Sequence, residues 1–117
     1  MRSDEALLLE MVIALQKISR FTQGLNEAMF LTNDLVQSAV IREFQILDEA
    51  ARLVSEETKA RTPTIPWKLI TGMRNRLIHE YFDVRLDVLW TTIQRDLPHL
   101  SIQMIAILPS HASDNES

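Results

Sequence analysis

At 117 residues the chain is long enough for one hydrophobic core and too short for two. An apolar fraction of 46% and a charged fraction of 24% exclude a disordered chain, and no apolar run approaches the roughly 18 residues that cross a bilayer. The absence of cysteine excludes disulfides, thiolate catalysis and Cys-ligated zinc, and a net charge of −4 disfavours a general nucleic-acid binder.

Two glycines and four prolines among many good helix formers predict an all-α fold of four to five helices. The first helix is expected over Asp4 to Thr22, capped by Ser3 or Asp4, with Leu7, Leu8, Met11, Val12, Leu15 and Ile18 at helical spacing. Acids before and inside that apolar stretch do not match a signal peptide, and a cytoplasmic location is expected. "NEAMFLTND" reads as a break in which Asn26 or Asn33 caps.

A long second helix is predicted over Asp34 to Lys59 with two apolar seams. Val40, Phe44, Leu47, Ala51 and Val54 form one; Leu35, Ala39, Ile46, Ala50 and Leu53 form the other. A stripe this wide serves either as intramolecular core or as the seam of a homodimer, and a homodimer is expected. Pro63 and Pro66 predict an extended connector, with Pro66 at the first helical position ahead of Trp67. The third helix is predicted over Trp67 to Glu80, and "YFDV" reads as a turn before a fourth helix capped by Asp83 or Asp87. A last helical segment starts at Pro98, and residues 109–117 are expected to be a disordered tail.

Charge is unevenly distributed. Four of the twelve basic residues, Arg61, Lys68, Arg74 and Arg76, fall in a stretch that runs to His79 without one acid, while the other eight face all sixteen acids. Such a strip on an acidic body suits a local phosphate site, or else a set of ion pairs with neighbouring helices. At about 100° per residue, Trp67, Ile70, Met73, Leu77 and Ile78 share an apolar face of the third helix. Lys68, Gly72, Asn75, Arg76 and His79 lie on the opposite one, with Asn75 one turn before His79. Arg74 projects on the apolar side, where it either pairs with Asp48 or Glu49, reaches around towards His79, or crosses into a second subunit.

An imidazole moves protons near neutral pH, and a guanidinium holds phosphate oxygens with two parallel bonds. Together they suit cleavage of RNA without a metal ion: the 2′-hydroxyl, once deprotonated, attacks the adjacent phosphorus and leaves a 2′,3′-cyclic phosphate. DNA lacks that hydroxyl. His79, His99 and His111 show no metal-ligand spacing, and two glycines cannot build a phosphate-cradling loop, so no metal and no cofactor are expected. His99 reads as a surface residue and His111 as a bystander in the tail. No second basic helix accompanies the strip, so specific DNA reading is not expected.

"IPWKLITGMRNRLIHEYFDVRLDVLW", followed by "DLPHL" and preceded by "AVIREFQILDEAARLVSEE", resembles the HepT family of HEPN-domain proteins. The resemblance covers about residues 4 to 106 and implies a HEPN-type up-and-down bundle over residues 1–108 that acts as a homodimer. It further implies the toxin of a type VII HepT/MntA-like toxin–antitoxin system: an endoribonuclease whose Arg-x4-His signature is Arg74 and His79. Arg74 then stabilises phosphate, His79 is general base or acid, Asn75 orients one of them, and Arg76 and Lys68 support RNA binding. Tyr81 occupies the position at which a MntA-like nucleotidyltransferase antitoxin adds AMP, a bulky anion where RNA phosphate should bind. The resemblance also fits a non-catalytic HEPN dimer that scaffolds a nucleotidyltransferase. One departure from the family pattern is Asp48, where glycine is frequent.

Overall fold

The computed structural model describes residues 2–80 and 83–109, with the backbone alone at 74, 78–80 and 83. Among the described residues it forms seven helices and one two-stranded ladder: α1 (Asp4–Thr22), α2 (Glu27–Leu31), α3 (Asp34–Leu53), α4 (Glu56–Arg61), α5 (Trp67–Leu77), β1 (Ile78–Glu80), β2 (Asp83–Val84), α6 (Leu86–Arg95) and α7 (Leu97–Ile107). The five longer helices are the predicted bundle. α3 lies between α1 and α5, and α7 packs on α1 and α6. Of the expected tail, residues 110–117 lie outside the described residues.

Local chemistry sets most helix starts. Ser3 caps α1 by accepting from the Ala6 N–H at 3.1 Å, and Asp4, Glu5 and Arg20 sit at the ends of α1 where each complements the helix dipole. After α1, Gly24 adopts φ +80, which an L side chain rarely tolerates. Both candidate caps in the next segment operate. Asn26 accepts from Met29 N–H at 2.8 Å and Asn33 from Val36 N–H at 3.0 Å. The expected break therefore contains a one-turn helix, α2, whose purpose in packing is Phe30: fully buried, with its ring 5.2 Å from that of Trp90 on α6.

The long second helix is interrupted. α3 stops at Leu53, and Val54 and Ser55 are extended before α4 begins. In a continuous helix the Ser55 N–H would donate to the Ala51 carbonyl; here it donates to Asp4 Oδ1 at 3.1 Å instead. The Ser55 and Thr58 hydroxyls donate to Asp4 Oδ2, and Ser55 Oγ caps α4 at the Thr58 N–H. The α1 N-terminus thus closes the α3–α4 joint. Of the two seams predicted on this stretch, Val40, Phe44, Leu47, Ala51 and Val54 are all buried. The other is only partly covered: Ala50 is buried, Ala39 and Ile46 are half-buried, and Leu35 and Leu53 remain 80% and 55% exposed.

Further on, three more expectations are corrected. The proline connector is a turn rather than an extended strand, because the Ile65 N–H donates back to the Thr62 carbonyl at 3.1 Å with Pro63 at the favoured second position. Helix α5 starts at Trp67, and Pro66 supplies the carbonyl for its first bond, from the Ile70 N–H at 3.0 Å. That helix ends at Leu77 and not at Glu80. The Leu77 carbonyl takes the Arg85 N–H at 2.8 Å, and Ile78 and Glu80 pair antiparallel with Val84 and Asp83. The N-cap of α6 is Arg85, without a side-chain capping bond; Asp83 lies in β2, and Asp87 lies in the first helical turn, ion-paired with Arg85 at 3.4 Å.

Candidate active site

The inner face of α5 is fixed by burial of Trp67, Ile70, Met73 and Leu77 in the core. That anchoring turns Lys68, Asn75 and Arg76 to solvent, with Gly72 half-buried between them. These positions match the faces expected from the sequence. A Cβ added at Gly72 would meet nothing within 4 Å, so packing within the chain does not require glycine there and the backbone stays open to close approach.

Arg74 lies in α5 and His79 in β1. Their side chains, and the whole of Tyr81, lie outside the described residues. The backbone alone changes one expectation. Because the helix ends at Leu77, His79 is not on a helical face one turn after Asn75, and the angular argument that separated it from Arg74 does not apply. The chain instead reverses between β1 and β2, so His79 sits in an antiparallel hairpin at the C-terminal end of α5.

The basic strip divides into paired and unpaired members. Arg61 pairs with Glu57 at 3.5 Å within α4 itself, and not with a neighbouring helix as the ion-pair reading expected. Lys68 and Arg76 are exposed and have no ion pair among the described residues. Asp48, one of the acids offered to Arg74, receives Arg52 Nε on both carboxylate oxygens at 3.0 Å. At the base of the hairpin the Arg85 guanidinium, helped by the Val88 N–H, holds the Asp87 carboxyl below the usual carboxylate range.

His99 is exposed on α7, as expected for a surface residue. Sequence reasoning passed over Arg95 and Asp96, which share a groove with His99 and with Met73 of α5. The signal available was the run "RDLPH", in which Pro98 marks a helix start just after two adjacent opposite charges. Among the described residues no three His, Asp or Glu side chains gather as metal ligands, and no helix is long and apolar enough to cross a membrane.

Comparison with known proteins supplies the frame for this site. The family described as Ribonuclease HepT-like has a sequence model that matches residues 11–107. The chain is 31% identical over 99 residues to a Methanocaldococcus jannaschii protein named "Putative RNase MJ1380", covering 85% of this chain and 91% of that one. It is 37% identical over 99 residues to "Probable ribonuclease HepT" of Thermococcus cleftensis, covering 85% of this chain and 90% of that protein. No solved structure matches the chain.

Proposed function

The chain belongs to the HepT-like ribonuclease family, and from that membership we propose that it is an endoribonuclease that needs no metal ion, the toxin of a HepT/MntA-like toxin–antitoxin pair. The observation that carries this reading is the family match over residues 11–107, which contains Arg74-x4-His79 in an acid-free stretch where Lys68 and Arg76 are left unpaired among the described residues.

In this reading RNA lies along the exposed side of α5. Lys68 and Arg76 hold backbone phosphates, and the open backbone at Gly72 lets the strand or a second subunit come close. His79 removes the proton from a 2′-hydroxyl, and the freed oxygen bonds to the adjacent phosphorus. Arg74 steadies the charge on the non-bridging oxygens, and Asn75 helps orient the reacting groups. The bond to the 5′-oxygen breaks, that oxygen leaves with a proton from an imidazolium, and a 2′,3′-cyclic phosphate remains. The partly covered seam of α3, with Leu35 and Leu53 exposed, supports a homodimer. Tyr81 accepts AMP from a nucleotidyltransferase antitoxin, which places negative charge where phosphate binds.

The test is incubation of the purified chain with RNA in excess chelator, followed by analysis of the ends produced. Fragments ending in 2′,3′-cyclic phosphate are expected, and RNA that stays intact overturns the nuclease reading. For the antitoxin, co-expression with an adjacent nucleotidyltransferase should add the mass of AMP to the peptide containing Tyr81; an unmodified peptide removes that mode of control.

A further inference from the structure

Helix α5 and the elbow between α6 and α7 enclose a groove of about 280 Å³. The buried Met73 and Leu100 give it an apolar floor, the exposed Leu69 an apolar edge, and Arg95, Asp96 and His99 stand on its rim. The three rim residues are exposed, and none has a side-chain hydrogen bond or ion pair among the described residues. Arg95 and Asp96 are adjacent in sequence yet do not neutralise each other. Between them they present a fork of donors and a pair of acceptors to whatever enters. Gln103 donates to the Thr64 carbonyl at 2.9 Å, which ties α7 to the connector before α5 and holds the two walls together.

The size and chemistry of the groove select its ligand. It is smaller than the roughly 300–1,000 Å³ of drug-sized sites, so it suits one planar ring system on an apolar floor. A nucleobase has that shape, with a polar edge and an apolar face. Among the bases, guanine alone offers two neighbouring N–H groups to one carboxylate, and its O6 and N7 accept from a guanidinium. The groove also lies beside the proposed site. From Met73 to Leu77 the helix rises about 6 Å, and from Leu77 to His79 extended chain adds about 7 Å. Arg76, exposed and free of ion pairs among the described residues, lies two helical turns after Leu69 on the same solvent-facing edge of α5, along that path.

The geometry points to a guanine subsite in this groove, in which Asp96 accepts from the N1–H and 2-amino groups and Arg95 donates to O6, so that the chain binds RNA with a guanosine at a fixed distance from the bond it cuts. That RNA is the ligand rests on the ribonuclease reading; the subsite itself is read by binding without cleavage.

The experiment titrates the full-length chain with fluorescent 2′-O-methyl oligonucleotides, which lack the free hydroxyl needed for cutting. One is a run of adenosines, a second carries a single guanosine, and a third carries inosine, which lacks the 2-amino group, at the same place. The guanosine oligonucleotide is expected to bind about tenfold more tightly than the adenosine run, with inosine between. In Asp96→Asn, and independently in Leu69→Glu on the exposed apolar edge, that difference should vanish while the helical circular-dichroism spectrum persists. Equal affinity in the wild type, absent binding included, overturns the subsite, as does discrimination that survives Asp96→Asn. A chain that discriminates guanosine but cuts no RNA overturns the nuclease reading alone.

Discussion

Arg52 Nε donates to both carboxylate oxygens of Asp48 at 3.0 Å, one turn apart on α3, and the same guanidinium reaches across to the Thr71 carbonyl of α5 at 3.0 Å. The Asp48 side chain is nearly buried and that of Arg52 is about half-exposed. One residue therefore both satisfies a buried charge and fastens α5, the helix that carries Arg74, to the centre of the bundle. Replacing Arg52 with Met should lower stability by about 1–3 kcal/mol, because Asp48 is left buried without its partner and the open surface at Arg52 softens the loss. Urea unfolding measures it; an unchanged midpoint contradicts the role.

Phe30 is the apolar anchor of α2 and fully buried against Trp90. Phe30→Ala should destabilise the fold by about 3–5 kcal/mol through lost burial and the cavity left behind. The change in thermal midpoint would report it, and a shift equivalent to less than about 1 kcal/mol would mean that α2 is dispensable.

The joint between α1, α3 and α4 predicts how the fold meets acid. Ser55 and Thr58 hydrogen bonds hold the Asp4 carboxyl below its ordinary value of 3.8. A depressed carboxyl stabilises the fold above the unfolded-state value, and that contribution disappears as pH falls through the lower folded-state value. Between about pH 5 and pH 2 the wild type should therefore lose thermal stability more steeply than Asp4→Asn. Parallel curves for the two proteins would show that the joint does not titrate through Asp4.

Lys68 and Arg76 are exposed cations on the outer face of α5 with no ion pair among the described residues. If each neutralises one RNA phosphate, Lys68→Gln and Arg76→Gln should each weaken binding across all sequences. Each should also reduce the slope of log affinity against log salt by about 1. Unaltered slopes would move the RNA path away from this face.

The features that sequence alone revealed are those decided within a turn or two of chain. Ser3, Asn26 and Asn33 cap because an oxygen lies within reach of the next free N–H groups, and Trp67, Ile70, Met73 and Leu77 face inward because their spacing matches the helix. The breaks that were missed depend on partners distant in the chain. α3 stops where it does because Asp4, 51 residues earlier in the chain, takes the Ser55 N–H, though "SEET" already carried the local signature of a helix start. α5 stops because Arg85 returns to the Leu77 carbonyl. The faces of Lys68, Asn75 and Arg76 were legible, whereas the groove of Arg95, Asp96 and His99 was not, since periodicity says nothing of which two helices will face each other.

Transfer of the 2′-proton at His79 is tested most directly with two oligonucleotides in excess chelator: one with a single ribose in a deoxyribose strand, and the same strand all-deoxy. Cleavage is expected only after the ribose, with a cyclic phosphate end, and His79→Ala should slow it by roughly 10²–10⁴-fold while leaving the circular-dichroism spectrum unchanged. Cutting of the all-deoxy strand, or a His79→Ala rate equal to that of the wild type, would contradict the account.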